Sequence, residues 1–147
     1  MKSFCVLDVG DRRVGLPMSE VREIIELSMA TPVPVPLAPG FVRGLFNLRG
    51  QVIPLLDLAP FVGASRSEAA DDRAVVVEKG EFRFAAQGSR IDAIEVDPAG
   101  FKPLEDAALF PALEAEATSE RGAFLVLHVD RLEACLARAM NLTELAA

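Results

Sequence analysis

The sequence predicts an all-β fold, mainly strands with short helices, and three observations predict it. Apolar and β-branched runs are short, roughly seven to ten of them, and turn residues separate them about every ten positions. The one extended helical face lies at the end of the chain, at residues 130–140. Strands follow strands without amphipathic helices between them, which points to barrels or a sandwich and away from a βαβ sheet.

Residues 3–9 (SFCVLDV) form an apolar run, Gly10-Asp11 supplies a turn, and residues 13–18 (RVGLPM) resume an extended pattern, so the chain opens with a hairpin. Ser19 is placed to cap a short helical turn, and Ile24-Ile25-Glu26-Leu27 begins a further strand. Residues 31–40 (TPVPVPLAPG) hold four prolines, which remove backbone donors and fix φ; this is a stiff surface loop. Residues 41–48 and 51–58 flank Arg49-Gly50 as a second hairpin. Residues 64–72 (ASRSEAADD) are small and charged, the composition of a linker or exposed loop.

Beyond it, residues 73–78 and 82–87 bracket the turn Lys79-Gly80-Glu81, and residues 89–96 make a weaker strand. Residues 97–118 read as mostly loop, with a short helix near 105–110. Residues 123–129 (AFLVLHV) are the last strand, and Leu132, Cys135, Leu136 and Ala139 share one helical face. The expected organisation is one domain, 1–147, with sub-barrels at 1–63 and 73–129 and a C-terminal helix, 130–147, packing back on them.

Composition excludes several functions. Hydrophobic residues make up 51% of the 147, too many for a disordered chain. The net charge is −7, with no Trp or Tyr, which argues against nucleic acid: such partners need cations for phosphates and aromatic platforms for bases. Residues 1–63 carry six basic and six acidic side chains and are neutral; the remainder carries the whole −7. No signal peptide opens the chain and no run approaches the ~18 apolar residues of a membrane span, so a cytoplasmic location without membrane insertion is expected. Cys5 and Cys135 lie in apolar runs and read as reduced, buried hydrophobes.

Catalytic signatures are absent. There is no GxGxxG, P-loop, HExxH or CxxC, and the single histidine, His128, excludes a histidine-rich metal site. No cofactor, metal or catalytic residue is expected. A Cys–His pair would have to join Cys5 or Cys135 to His128, but all three sit in apolar runs and read as packing residues. Glu23 and Asp57 as acid and base are weaker than an ion pair and a turn-bonding Asp.

One stretch is far more specific. It runs from Val21-Arg22-Glu23-Ile24 through Thr31-Pro32-Val33-Pro34 to Gly44-Leu45-Phe46-Asn47-Leu48-Arg49-Gly50-Gln51-Val52-Ile53-Pro54-Leu55-Leu56-Asp57-Leu58. It resembles the CheW-like domain, the coupling module of bacterial chemosensory arrays, strongly over residues 3–63 and loosely over 73–140. The resemblance implies two packed five-stranded SH3-like barrels and a non-enzymatic adaptor. Its implied partners are the cytoplasmic tip of chemoreceptors and the regulatory domain of the histidine kinase CheA. It implicates Val21, Glu23, Gly44 and Arg49 in partner binding and sets Arg49 beside Glu23 as an ion pair, with Val21 and Leu45 or Phe46 receiving a helix. Asn47, Gly50, Pro54 and Asp57 are expected to maintain the fold: Asn47 and Asp57 by bonding nearby backbone, Pro54 by keeping its strand at an edge or bulge.

The second half departs from the family pattern. Residues 84–90 (FAAQGSR) lack the family's Gly-Leu pair and Asp, and Leu125-Val126-Leu127-His128-Val129-Asp130 keeps only the final Asp. This favours, as an alternative, an adaptor that binds a receptor or another partner without the kinase. An enzyme using the barrel groove, with Cys5 or Asp57 engaged, and a domain split from a larger kinase are the lesser alternatives.

Overall fold

The computed structural model describes residues 1–65, 72–105 and 108–146. The first hairpin is β1 (Lys2–Val9) and β2 (Arg12–Pro17), followed by a 3-10 turn at Met18–Glu20 and β3 (Val21–Glu26). No side chain caps that turn; Pro17, with its fixed φ, precedes it, so Ser19 does not play the expected role. A short helix, α1 (Leu27–Ala30), leads into the proline-rich loop, and β4 (Val42–Leu48) and β5 (Gln51–Leu56) form the second hairpin. Then come α2 (Ala59–Val62), β6 (Arg73–Lys79), β7 (Phe82–Val96), a 3-10 turn at Pro98–Gly100, β8 (Phe101–Lys102), β9 (Leu113–Ser119), β10 (Gly122–Leu127) and α3 (Val129–Ala146). The fold is mainly β, as the sequence predicts.

The strands pair in two sheets that share β7. In one, the order β7-β1-β2-β10-β9-β8 is antiparallel except for the parallel β2–β10 contact. In the other, β3-β6-β7 is antiparallel and β5 joins β7 in parallel, with β4 outside β5. Pairing therefore cuts across the division 1–63 and 73–129. The opening hairpin β1–β2 lies with the C-terminal strands, whereas β3, β4 and β5 lie with β6 and the first half of β7. The physical reason is the length of β7. Its first half pairs with β6 and its second with β1, so the two expected strands at 82–87 and 89–96 are one element. At the changeover, a Cβ on Gly88 would lie 2.7 Å from the Asp8 carbonyl oxygen, so the two strands approach closely only with glycine there.

Alternation along each strand separates three cores. Phe4 and Val6 of β1 join Ile94, Val96, Ala117, Phe124 and Val126 inside the first sheet. Ala74 and Val76 of β6 join Phe46, Ile53, Leu55 and Ala85 inside the second. The intervening residues of the same strands, Cys5, Leu7, Val75, Val77 and Phe84 among them, meet in a third core between the sheets. Strands buried on both faces explain the unbroken apolar runs FCVL and AVVV. Leu132 of α3 is fully buried in the central core, with Cys135 and Leu136 packed against it.

The remaining differences have local causes. Residues 97–118, expected as loop, contain β8 and β9. Leu113, Ala115 and Ala117 alternate with Glu114, Glu116 and Thr118, but Ala and Glu have low strand preference, and β9 exists because β10 and β8 pair with it. Of the short helix expected near 105–110, residues 106–107 lie outside the described residues; Glu105, Ala108 and Leu109 are turn and Phe110 is irregular. Of the expected linker at 64–72, residues 66–71 lie outside the described residues; Ser65 is fixed to the first hairpin turn, its N–H donating to Asp11 Oδ1 at 2.8 Å. That bond holds the Asp11 carboxyl below its ordinary range. His128 is not in a strand: it precedes α3, and its Nδ1 accepts the Arg131 N–H at 3.3 Å, as an N-cap does.

Candidate partner-binding corner

The β4–β5 hairpin closes through a two-residue turn with both residues left-handed, Arg49 at φ 50° and Gly50 at φ 85°. That is the twist a tight hairpin needs, and it suits glycine but strains arginine. Asn47 Oδ1 accepts the Gly50 N–H at 2.8 Å and fixes the turn from the side. The turn projects Arg49, 62% exposed in its side chain, across to β3, where its Nη2 donates to Glu23 Oε2.

Glu23 reaches that position because β3 is irregular. The register against β6 shifts between Val21, opposite Val77, and Glu23, opposite Val76. Val21 therefore packs on the central core, while Glu23 shares the face of Val76 and the inner core of the second sheet. Sheet order places β3 and β4 at opposite edges, so the Glu23–Arg49 pair links one edge strand to the hairpin that carries the other.

A second contact, which no local pattern in the sequence announces, runs alongside. Arg22 Nη1 donates to Glu78 Oε2 at 2.6 Å and to Gln51 Oε1 at 3.3 Å, tying β3 to β6 and to the hairpin end. The only sequence signal was adjacency, since Arg22 and Gln51 each flank a motif residue.

Gly44 is accounted for within the chain. A Cβ there would lie 2.9 Å from the Val33 carbonyl oxygen and 3.3 Å from Pro32 Cβ. The proline-rich loop crosses β4 at this point, held by reciprocal backbone bonds between Val33 and Leu45 at 2.8 and 2.9 Å. Leu45 is opposite Pro54, and Asn47 is opposite Val52, so Val33, Leu45, Pro54 and Val52 share one face of the hairpin. Val33 is 63% and Val52 65% exposed, and Ile24 on β3 is 49% exposed. Phe46, by contrast, is buried in the inner core and is excluded as a docking residue.

Pro54 lies inside β5 rather than on an edge strand. The pairing of β5 with β7 begins only at Leu55, so Pro54 forfeits no bond on that side. Asp57 Oδ1 accepts the Ala59 N–H at 3.0 Å at the start of α2, and Oδ2 lies 3.2 Å from Arg43 Nη2. These contacts are those of a turn-fixing residue.

No group of three or more metal-binding side chains occurs among the described residues. Cys5 is buried, and burial pushes its thiol up to about 11, the wrong direction for a nucleophile. No described helix is long and apolar enough to cross a membrane. Fold and site together define an all-β module whose distinguishing polar residues form a surface corner rather than an acid–base centre.

The chain belongs to the CheW-like domain family, whose model matches residues 3–135. It is 38% identical over 68 residues to Protein FrzA of Myxococcus xanthus, covering 46% of this chain and 40% of that protein. It is 34% identical over 86 residues to Chemotaxis protein CheW of Rhizobium meliloti, covering 58% and 53%. The chain thus spans about half the length of these relatives. The crystal structure of scaffolding protein TtCheW from Thermoanaerobacter tengcongensis superposes with a TM-score of 0.73 at 23% identity, covering 86% of this chain and 88% of that one, a likeness of fold.

Proposed function

We propose that this chain is a non-enzymatic, cytoplasmic adaptor of chemotaxis signal transduction that couples the tip of a chemoreceptor to a CheA-type histidine kinase. Family membership supports the adaptor reading, and two relatives carry chemotaxis or scaffolding in their names. The observation that carries the choice of surface is the Glu23–Arg49 corner, with exposed Ile24 on β3 and exposed Val33 and Val52 on the hairpin face. Apolar side chains left in water offer area to a partner helix, while the charged pair sets its register. Titration of the chain with a soluble receptor-tip fragment, and separately with a kinase regulatory domain, tests this reading. Saturable binding to both supports it; binding to neither overturns it.

A second reading, an adaptor that engages a receptor or another partner but not the kinase, is favoured by residues 84–90. Gln87-Gly88-Ser89-Arg90 stand at the changeover of β7 between the two sheets, where Arg90 takes φ 49°. Binding to the receptor tip alone selects this reading.

A further inference from the structure

Arg22, the residue before Glu23, reaches the same hairpin end as Glu23 does. In a regular strand successive side chains point to opposite faces, so two neighbours do not share a target. Here the register of β3 against β6 passes from Val21 opposite Val77 to Glu23 opposite Val76, which makes Arg22 the extra residue of a β-bulge. Released from the alternation, Arg22 Nη1 donates to Gln51 Oε1 at 3.3 Å, while Glu23 accepts from Arg49. Two consecutive residues of β3 thus grip Arg49 and Gln51, on either side of Gly50.

The sheet leaves the hairpin end in need of that grip. β5 pairs with β7 only at Leu55 and Leu56, so residues 51–54 bond in the ladder to β4 alone. Phe46 and Ile53 anchor the hairpin in the inner core, but Asn47, Arg49, Gly50 and Val52 beyond them are exposed. Arg22 is itself held from behind. The same Nη1 donates to Glu78 Oε2 on β6 at 2.6 Å, and Glu78 Oε1 lies 3.5 Å from Arg83 Nε on β7. Glu78 and Arg83 face each other in the β6–β7 register. The line Arg83–Glu78–Arg22–Gln51 therefore runs from β7, the central strand of the second sheet, out to the hairpin end. A guanidinium carries several donors on one plane, which lets a single side chain serve a carboxylate and an amide together.

We propose that Arg22 is a positioning residue: bulged from β3 and anchored on Glu78, it holds Gln51 and so fixes where the turn presents Arg49. Its value for binding rests on the reading of the Glu23–Arg49 corner as the partner surface. NMR relaxation of the Arg49 Nε–H in the free protein and titration with a soluble receptor-tip fragment test it together. Arg22→Ala should melt within a few degrees of the parent, since partly exposed ion pairs add little stability. It should nonetheless lower the order of the Arg49 side chain and weaken fragment binding about fivefold. In an Arg49→Ala background the same substitution should cost nothing further, because the side chain it positions is gone. Gln51→Ala should reproduce the loss, and Arg22→Ala with Gln51→Ala should not exceed either alone. An equal loss with and without Arg49 would mean that Arg22 touches the partner itself, and would overturn the proposal. Unaltered Arg49 order or unaltered binding would overturn it as well. If the parent chain binds no fragment, the partner reading falls, and the order of Arg49 in Arg22→Ala alone decides the positioning role.

Discussion

Arg49, at the turn of the β4–β5 hairpin, donates to the carboxylate of Glu23 on β3, twenty-six residues earlier in the chain. The arginine does so from a left-handed backbone conformation that costs a non-glycine residue roughly 1–2 kcal/mol. An asparagine would suit the turn better. Arg49→Asn is therefore expected to leave the melting temperature equal or slightly higher while weakening receptor-tip binding. Thermal melts and a binding titration on the same preparation check this, and a destabilised variant would show that the ion pair outweighs the turn strain.

Gly50 and Asp57 should matter to folding rather than to partners. Gly50→Ala places a Cβ at φ 85° with nothing around it, so its cost is backbone strain alone, about 1 kcal/mol. Asp57→Ala removes the bond to the Ala59 N–H and should cost on the order of 1–2 kcal/mol. Denaturant unfolding measures both; a variant that unfolds like the parent yet loses its partner would contradict the structural assignment.

Gly44→Ala should act indirectly. Its methyl would press on the Val33 carbonyl and loosen the Val33–Leu45 bridge, and misfitting a packed contact costs about 1–3 kcal/mol. Amide hydrogen exchange should quicken at Val33 and Leu45 while Glu23–Arg49 variants leave it unchanged.

Cys5 supplies a pH test. Burial raises its thiol from an ordinary 9.0 to about 11, so the unfolded chain loses that proton first as pH rises. The folded state is then favoured fully below pH 9, and this contribution is lost as pH climbs through 11. At pH 8, iodoacetamide should modify half-buried Cys135 well before Cys5.

Strands buried on both faces were legible as unbroken apolar runs, which is why β1, β6 and β10 stood out. Their partners were not legible, because one β7 serving two sheets is a long-range fact that no local pattern encodes. The strand β9 escaped because its Ala and Glu residues are poor strand formers held in place by neighbours, and α1 and α2 because four residues give no helical period. At the site, Asn47, Asp57 and the turn could be reasoned from residue type. The Glu23–Arg49 contact could not: it depends on a bulge in β3 and on sheet order, and only the family resemblance suggested it. That same resemblance assigned Gly44 to a partner, whereas close packing of the proline-rich loop accounts for glycine there.

The Glu23–Arg49 corner is expected to orient a partner, and a double-mutant cycle tests this most directly. An exposed pair contributes only about 0–1 kcal/mol to stability, so Arg49→Glu, Glu23→Lys and the double reversal should melt within a few degrees of the parent. Calorimetric titration with a receptor-tip fragment should show each single reversal weakening binding at least several-fold and the double reversal recovering part of the loss. Additive losses would mean the two residues act separately, and undiminished binding by both single variants would remove this corner from the interaction.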